Sequence, residues 1–278
     1  MKGRTRTIDL NDGNAIPQLG LGVWQIPNGK KCEAALLTAL EAGYRHIDTA
    51  SFYGNEESVG AAIRSSGIPR AEIFVTTKLW NSDHGDPGRA FETSLRKLKL
   101  DYVDLYLIHY PVAARLQSWR VLARLKQQGK ARSIGVSNFT IRHLTDLLAQ
   151  SDIVPAVNQV EFHPYLYQRE LLDFCVARGI VIEAYSPLTQ GHRLKDPKLI
   201  AVAKRYAAVS PGGAKSTAQI LIRWAIQHNL VVIPKSANPA RIRENADVFD
   251  FEISAEDMRQ LDSFHENLRT CWDPTNAP

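Results

Sequence analysis

The chain has 278 residues, of which 44% are hydrophobic and 23% are charged, and its formal net charge is +5. This composition is typical of a globular protein with a sizeable core, and it excludes a disordered, collagen-like or disulfide-scaffold chain. No run of about 18 apolar residues is present, so we expect no membrane-spanning helix and no membrane partner.

Short β-rich runs alternate with longer amphipathic segments along the chain. Several of the runs are almost entirely apolar, as expected for parallel strands buried on both faces. The predicted strands are Leu19–Trp24, Arg45–Asp48, Ile73–Leu79, Val103–His109, Ser133–Val136, Ala156–Val160, Ile180–Tyr185 and Val231–Pro234. The predicted helices are Cys32–Ala42, Glu56–Ser65, Pro87–Leu98, Leu116–Gln128, Ile141–Ala149, Arg169–Ala177 and Ser216–Gln227.

Eight such strand–helix units predict the α/β class and a closed (β/α)8 barrel, a TIM barrel, that occupies residues 1–278 as a single domain. An open, doubly wound sheet is the alternative. It is disfavoured because Gly20-Leu-Gly22 is not followed by the third glycine of a dinucleotide-binding fingerprint.

Three segments lie outside this alternation. Thr5–Asp9 and Ala15–Gln18 flank the turn Asn11-Asp12-Gly13, which predicts a β-hairpin that caps the N-terminal end of the barrel. The stretch Val209–Ser216 is interpreted as a small insertion ahead of a helix. The polar tail from Asn267 to Pro278 is predicted to be a loop.

The termini, the cysteines and the charge pattern bear on location and partners. The first twenty residues are polar where a secretory leader would need an apolar stretch. Cys32, Cys175 and Cys271 are widely spaced and include no CxxC pair, which argues for a reducing compartment and against structural zinc. We therefore expect a cytoplasmic protein. Its positive residues are dispersed, so we expect no nucleic-acid partner.

Four proton-active side chains follow three adjacent predicted strands, at the end of the barrel where active sites form. Asp48 and Tyr53 follow the second strand, Lys78 ends the third and His109 ends the fourth. Each alone has an ordinary explanation, such as a helix cap or a packed core residue. However, a buried lysine is costly unless it is paired, and Asp48 on the neighbouring strand is the natural partner of Lys78. The combination therefore indicates a site.

These residue types favour proton transfer to an oxygen. A tyrosine has an ordinary pKa near 10, and we expect the Lys78 ammonium to lower the pKa of Tyr53 so that it becomes a proton donor. His109 would hydrogen-bond the same oxygen. Reduction of a carbonyl needs a proton on oxygen and a hydride on carbon. No side chain supplies hydride, so a nicotinamide cofactor is required.

The chain resembles the aldo-keto reductase family over essentially its whole length. The similar segments, in the family's order, are LGLGVWQ, GYRHIDTASFYGNEESVG, TTKLW, LDYVDLYLIHYP, IGVSNF, NQVEFHPY, AYSPL and IPKSANPARIREN. The resemblance implies that Asp48, Tyr53, Lys78 and His109 are the catalytic tetrad of an NADPH-dependent reductase of aldehydes and ketones. Within the family, the chain is similar to bacterial reductases of methylglyoxal or diketo-gluconate-like substrates.

The same resemblance implies which residues bind NADPH. Ser137, Asn138 and Gln159 would hold the nicotinamide carboxamide, and Tyr185 would stack under the ring. Ser186, Leu188 and the loop that follows would run along the pyrophosphate. Lys235, Ser236 and Arg241 would clamp the 2′-phosphate, and Glu244 and Asn245 would contact the adenine. Cations around a phosphate near a helix N-terminus favour NADPH over NADH.

The candidate substrate pocket is aromatic, and its residues are Trp24, Phe52, Trp80, Tyr110 and Trp272, the last on a tail that members of the family fold over the mouth. Tyr110 stands where many members carry tryptophan, and the segment Val112–Trp119 is short, which predicts an open mouth. We expect a small carbonyl substrate, a monomer, and no metal, because the histidines lack ligand spacing. Two alternatives remain: a regulatory or redox-sensing nicotinamide-binding barrel, and a sugar-phosphate isomerase supported by fold analogy alone.

Overall fold

A computed structural model describes residues 6–206 and 213–278. In this part of the chain, eight parallel strands form one sheet, β3 to β10, whose order in space is their order in sequence. The strands are β1 (Thr7–Asp9), β2 (Ala15–Pro17), β3 (Leu21–Gly22), β4 (His46–Asp48), β5 (Phe74–Leu79), β6 (Val103–Ile108), β7 (Ala131–Ser137), β8 (Val157–Glu161), β9 (Val181–Tyr185) and β10 (Val231–Val232).

The two edges of this sheet meet and close a barrel. Parallel bridges join Leu19 to Val232 and Gly22 to Lys235, and the Gly20 amide donates to the Val232 carbonyl at 2.9 Å. A side chain at Gly20 would place its Cβ 2.6 Å from His46 Nδ1, so only glycine fits this approach. The predicted (β/α)8 barrel is thereby confirmed.

The hairpin β1–β2 covers the N-terminal end of the barrel. Leu10 and Ile16 pack in one buried cluster with Phe74, Val157 and Val231, which lie at or near the starts of β5, β8 and β10. The predicted cap is therefore confirmed, although its first strand begins at Thr7 and Thr5 lies outside the described residues.

Helices follow the barrel strands and surround them. In the described ranges they are α1 (Lys30–Glu41), α2 (Glu56–Ser65), α3 (Pro87–Leu98), α4 (Arg115–Gln127), α5 (Ile141–Leu148), α6 (Arg169–Val176), α7 (Pro197–Arg205), α8 (Thr217–Gln227), α9 (Pro239–Ala246) and α10 (Ala255–Asp262). The ends of the predicted strands and helices differ from these by two residues or fewer. The helices α7, α9 and α10 are absent from the predicted set. The starts of α7 and α9 could have been predicted from Asp196-Pro197 and Asn238-Pro239. In each, a capping side chain is followed by proline at the first helical position.

The C-terminal segment from 267 to 278 contains neither helix nor strand, as predicted. Of the predicted insertion Val209–Ser216, residues 209–212 lie outside the described part of the chain, and Ser216 is the N-cap of α8. None of the described helices is long and apolar enough to cross a membrane.

Candidate active site

The four predicted proton-active residues meet at the carboxyl end of the barrel. Asp48 is the last residue of β4, Lys78 lies near the end of β5, and His109 directly follows β6. Tyr53 closes the 3-10 turn Ser51–Tyr53 after β4. Because neighbouring parallel strands end on the same side of a barrel, three adjacent strands bring these side chains together.

The Lys78 ammonium is the centre of the group. It donates to Asp48 Oδ1 at 2.7 Å, to the Thr49 carbonyl at 2.8 Å and to the Tyr53 hydroxyl at 3.3 Å. Its side chain is 0% exposed and that of Asp48 is 2% exposed, so no solvent screens the pair. The pairing that the sequence predicts is present. All three ammonium protons have acceptors, which fixes the ammonium against the phenol.

The predicted lowering of the pKa of Tyr53 is wrong. Burial raises its pKa well above 10, and the carboxylates of Asp48 and Glu183 raise it further. Desolvation disfavours the phenolate, and a nearby negative charge opposes its formation further. Tyr53 is therefore a protonated phenol near neutral pH.

His109 faces the phenol as a neutral imidazole. Its ring lies edge-on to Tyr53, with 5.6 Å between centroids. Burial and the Lys78 ammonium hold its pKa well below 6.5. A neutral imidazole carries one N–H, so His109 can donate one hydrogen bond to an oxygen in front of Tyr53.

A cavity of about 930 Å³ opens above these residues. The tetrad members Asp48, Tyr53 and His109 line it, whereas Lys78 lies beneath them. All eleven residues predicted to bind the cofactor line the same cavity: Ser137, Asn138, Gln159, Tyr185, Ser186, Leu188, Lys235, Ser236, Arg241, Glu244 and Asn245. One continuous cavity therefore joins the proton-active group to the cationic end of the site.

The polar groups near His109 form a fixed frame. Asn138 has a left-handed backbone (φ 63°), which asparagine tolerates. Its Nδ2 donates to the His109 carbonyl at 3.0 Å and to Ser137 Oγ at 3.1 Å, and its Oδ1 accepts from the Tyr185 hydroxyl at 2.8 Å. Gln159 Nε2 donates to two carboxylates, Asp48 at 2.7 Å and Glu183 at 2.9 Å. Among the described residues no donor occupies Gln159 Oε1, which is left to accept from a ligand amide.

The opposite end of the cavity is positively charged. Lys235 and Arg241 are exposed, and neither forms an ion pair with a described residue. Arg241 lies in the first turn of α9, where Asn238 Oδ1 accepts from the amides of Ala240 and Arg241. Two unpaired cations beside a helix N-terminus form an anion-binding surface.

Aromatic rings form the remaining wall. Trp24, Phe52 and Trp272 line the cavity, but Trp80 and Tyr110, also predicted for the pocket, are not among its lining residues. Trp80 stacks behind Phe52 at 3.8 Å between centroids, and the Tyr110 hydroxyl donates to the Asp273 carbonyl at 2.9 Å. Trp80 and Tyr110 therefore support the rings that line the cavity. The ring centroids of Trp80 and of Trp272, in the C-terminal tail, are 5.7 Å apart.

Several residues of the site were not predicted. Thr270 and Cys271 line the cavity from the tail, and Ser216 and Thr217 line it from the start of α8. The Ser216-x-x-Gln219 capping box was a readable signal for that helix start. Glu183 lies within the apolar strand β9 and its neighbour His46 is the first residue of β4, and neither gave a comparable signal. Within residues 6–206 and 213–278, no group of three histidine, cysteine or acidic side chains could hold a metal ion.

The fold and the site together define a barrel with a buried group of proton-active side chains beside an elongated, partly cationic cavity. The aldo/keto reductase family model matches residues 18–266. The chain is 47% identical to the glyoxal reductase of Bacillus subtilis (strain 168), over 96% of each chain. It is 48% identical to the methylglyoxal reductase DkgA of Yersinia pestis, over 96% of this chain and 95% of that one. A Bombyx mori aldo-keto reductase solved in complex with NADP superposes with a TM-score of 0.90 at 39% identity, covering 99% of this chain and 98% of that one.

The chain belongs to the aldo/keto reductase family, and the protein is an oxidoreductase. The resemblance read from the sequence is thereby confirmed.

Proposed function

We propose that this protein is an NADPH-dependent reductase of aldehydes and ketones in which Tyr53 is the proton donor. One observation carries the proposal: the Tyr53 hydroxyl lies 3.3 Å from a buried, fully paired ammonium, at the floor of a cavity large enough for a dinucleotide and a small substrate. The reductase names of the relatives and the NADP complex of the Bombyx mori structure support it.

The residues that line the cavity fit NADPH at both ends. Gln159 Oε1 is available to a carboxamide N–H, and Tyr185 is held by its hydroxyl so that its ring can lie under the nicotinamide. Lys235 and Arg241, with Ser236, would hold the 2′-phosphate, because a dianion benefits most from two cations without other partners. When bound, NADPH supplies the hydride that reduces the carbonyl carbon.

The chain's own groups supply the rest of the chemistry. His109 donates a hydrogen bond to the carbonyl oxygen and directs it toward Tyr53. Tyr53 gives its phenolic proton to that oxygen as negative charge develops there. Lys78 stabilises the resulting phenolate, and Asp48 keeps Lys78 charged and oriented.

We propose a small, reactive carbonyl compound as the substrate, in line with the glyoxal and methylglyoxal reductases among the relatives. We also propose that the chain works as a single barrel domain and as a monomer. The free thiols of Cys32, Cys175 and Cys271 fit a reducing compartment such as the cytoplasm.

The test is the oxidation of NADPH by the purified protein with a panel of aldehydes, ketones and oxoaldehydes. We expect turnover by the native protein. Tyr53→Phe should lose about 10²-fold or more in kcat, because a general acid contributes that much, while its affinity for NADPH stays unchanged. Binding of NADPH without turnover of any carbonyl would favour the regulatory barrel instead. Full turnover by Tyr53→Phe would refute the assignment of the proton donor.

A further inference from the structure

The loop at residues 186–191, which we call the cofactor loop, contacts the cavity and the C-terminal tail at the same time. It follows β9, and most of its residues line the cavity where we expect the pyrophosphate of NADPH. On its other side, Gln190 Nε2 donates to the Thr270 carbonyl at 2.8 Å and to Cys271 Sγ at 3.2 Å. The Ser186 hydroxyl lies 3.4 Å from the same sulfur. The loop expected to hold the cofactor is therefore bonded directly to the tail.

The tail segment beside Trp272 is held from two sides. On one side, the Glu161 carboxylate accepts from the Thr270 amide at 2.7 Å and from the Cys271 amide at 3.1 Å. Glu161 is buried at the end of the barrel strand β8, so this support is fixed. On the other side is the Gln190 amide, which is exposed and belongs to a loop. The position of Trp272 in the cavity wall therefore depends on where the cofactor loop places this amide.

The cofactor loop has a strained backbone. Ser186, Thr189 and Gln190 have left-handed φ angles of 47°, 53° and 52°, which are unfavourable for residues other than glycine. Such angles persist only where the contacts around them hold the chain in that arrangement. A cofactor that packs against the loop adds contacts of this kind. Its binding should therefore favour the arrangement in which Gln190 reaches the tail.

We propose that Gln190 is a positioning residue that couples NADPH binding to the substrate pocket. NADPH bound along the cofactor loop holds the Gln190 amide against the tail, and the tail in turn holds Trp272 against the substrate. A ligand shifts an equilibrium between two arrangements only by as much as it prefers one of them. Here that preference comes from the contacts of NADPH with the loop. The inference rests on the proposed function for the identity of the cofactor, and it adds a role for Gln190 in the affinity for the carbonyl substrate.

The test follows the release of the tail by limited proteolysis. Trypsin cleavage after Arg269 releases the chain from residue 270 onward, and mass spectrometry gives its rate with and without saturating NADPH. Gln190→Met keeps the length of the side chain and the Cβ that strains the backbone, but it has no N–H to donate. The matched control is Gln128→Met, which changes an exposed glutamine at the C-cap of α4, outside the residues that line the cavity.

We expect NADPH to slow the release of the tail about tenfold in the native and Gln128→Met proteins, as is usual for coupled sites. In Gln190→Met, NADPH should change the rate by less than about twofold, although fluorescence titration shows that the cofactor is bound. Glu161→Gln, which loosens the fixed support, should release its tail faster in both states and keep the protection by NADPH.

Kinetics at saturating NADPH give the second readout. The KM of Gln190→Met for the carbonyl substrate should rise about fivefold, with a smaller change in kcat, because the tail is loosened and the proton donor is not. Gln128→Met should keep the native KM. Urea unfolding establishes that each variant is folded.

Equal protection of the tail by NADPH in the native and Gln190→Met proteins would overturn the inference, because the amide would then carry no coupling. The same holds if Gln190→Met releases its tail faster but keeps the native degree of protection, since Gln190 would then be a structural contact like Glu161. A native protein that binds NADPH without protecting its tail refutes the inference alone. A native protein that binds no NADPH refutes the proposed function, and the inference with it.

Discussion

The buried pair of Lys78 and Asp48 offers a direct test of the electrostatics of the site. Lys78→Met removes the ammonium but roughly preserves the length of the side chain. It leaves the Asp48 carboxylate, 2% exposed, with Gln159 Nε2 as its hydrogen-bond donor and without a counter-charge. Breaking a buried pair in this way typically costs 3–5 kcal/mol, that is, about 4 kcal/mol of unfolding free energy.

The loss of unfolding free energy caused by Lys78→Met has an upper limit that depends on pH. The reason is that the unpaired Asp48 carboxylate can take up a proton instead of staying charged. Protonating a carboxyl with an ordinary pKa of 3.8 costs roughly 4 kcal/mol at pH 7, at about 1.4 kcal/mol per pH unit. At pH 5 the same step costs only roughly 1.6 kcal/mol. We therefore expect Lys78→Met to lose about 4 kcal/mol at pH 7 and less than half of that at pH 5.

Urea unfolding of the native and variant proteins at the two pH values measures these differences. The double variant Asp48→Asn with Lys78→Met removes both charges and should recover much of the loss at pH 7, because a neutral buried pair needs no counter-ion. A loss below about 1 kcal/mol at pH 7, or equal losses at the two pH values, would refute this reasoning.

Two further predictions concern the ends of the cavity. Lys235→Ala and Arg241→Ala should each weaken NADPH binding roughly tenfold or more, because each removes a charge-assisted contact, and should change NADH binding little. Fluorescence titration with both cofactors measures these affinities. An equal loss of affinity for NADPH and for NADH would contradict the 2′-phosphate assignment. Glu161 accepts from Thr270 N at 2.7 Å and from Cys271 N at 3.1 Å, so Glu161→Gln should loosen the tail that carries Trp272. The substitution should speed limited proteolysis of the tail and raise KM for the carbonyl substrate. If the tail of the variant is cut no faster than that of the native protein, contacts other than those of Glu161 hold the tail.

The sequence by itself determined the barrel and the hairpin cap, and it predicted which strand ends bring the proton-active side chains together. These follow from local patterns: apolar strand runs alternate with amphipathic helices, and polar residues stand where strands end. The pairing of Lys78 with Asp48 could also be predicted, since a lysine after an apolar strand needs an anion and the neighbouring strand offers one. The helices α7 and α9, which are no shorter than the predicted α5 and α6, carry their clearest signal in the capping side chain and the proline at their starts and not in an apolar period.

Only the tertiary structure decided the electrostatic state of the site. The pKa of Tyr53 is raised where the sequence predicted a lowered value, because its burial and the nearness of Glu183 depend on strands far apart in the chain. Glu183 itself sits in an apolar run that reads as ordinary core. Likewise, Trp80 and Tyr110 follow strand ends but support other groups instead of lining the cavity. Local sequence specifies which strand end a side chain occupies, whereas desolvation and charge balance are set by everything packed around it.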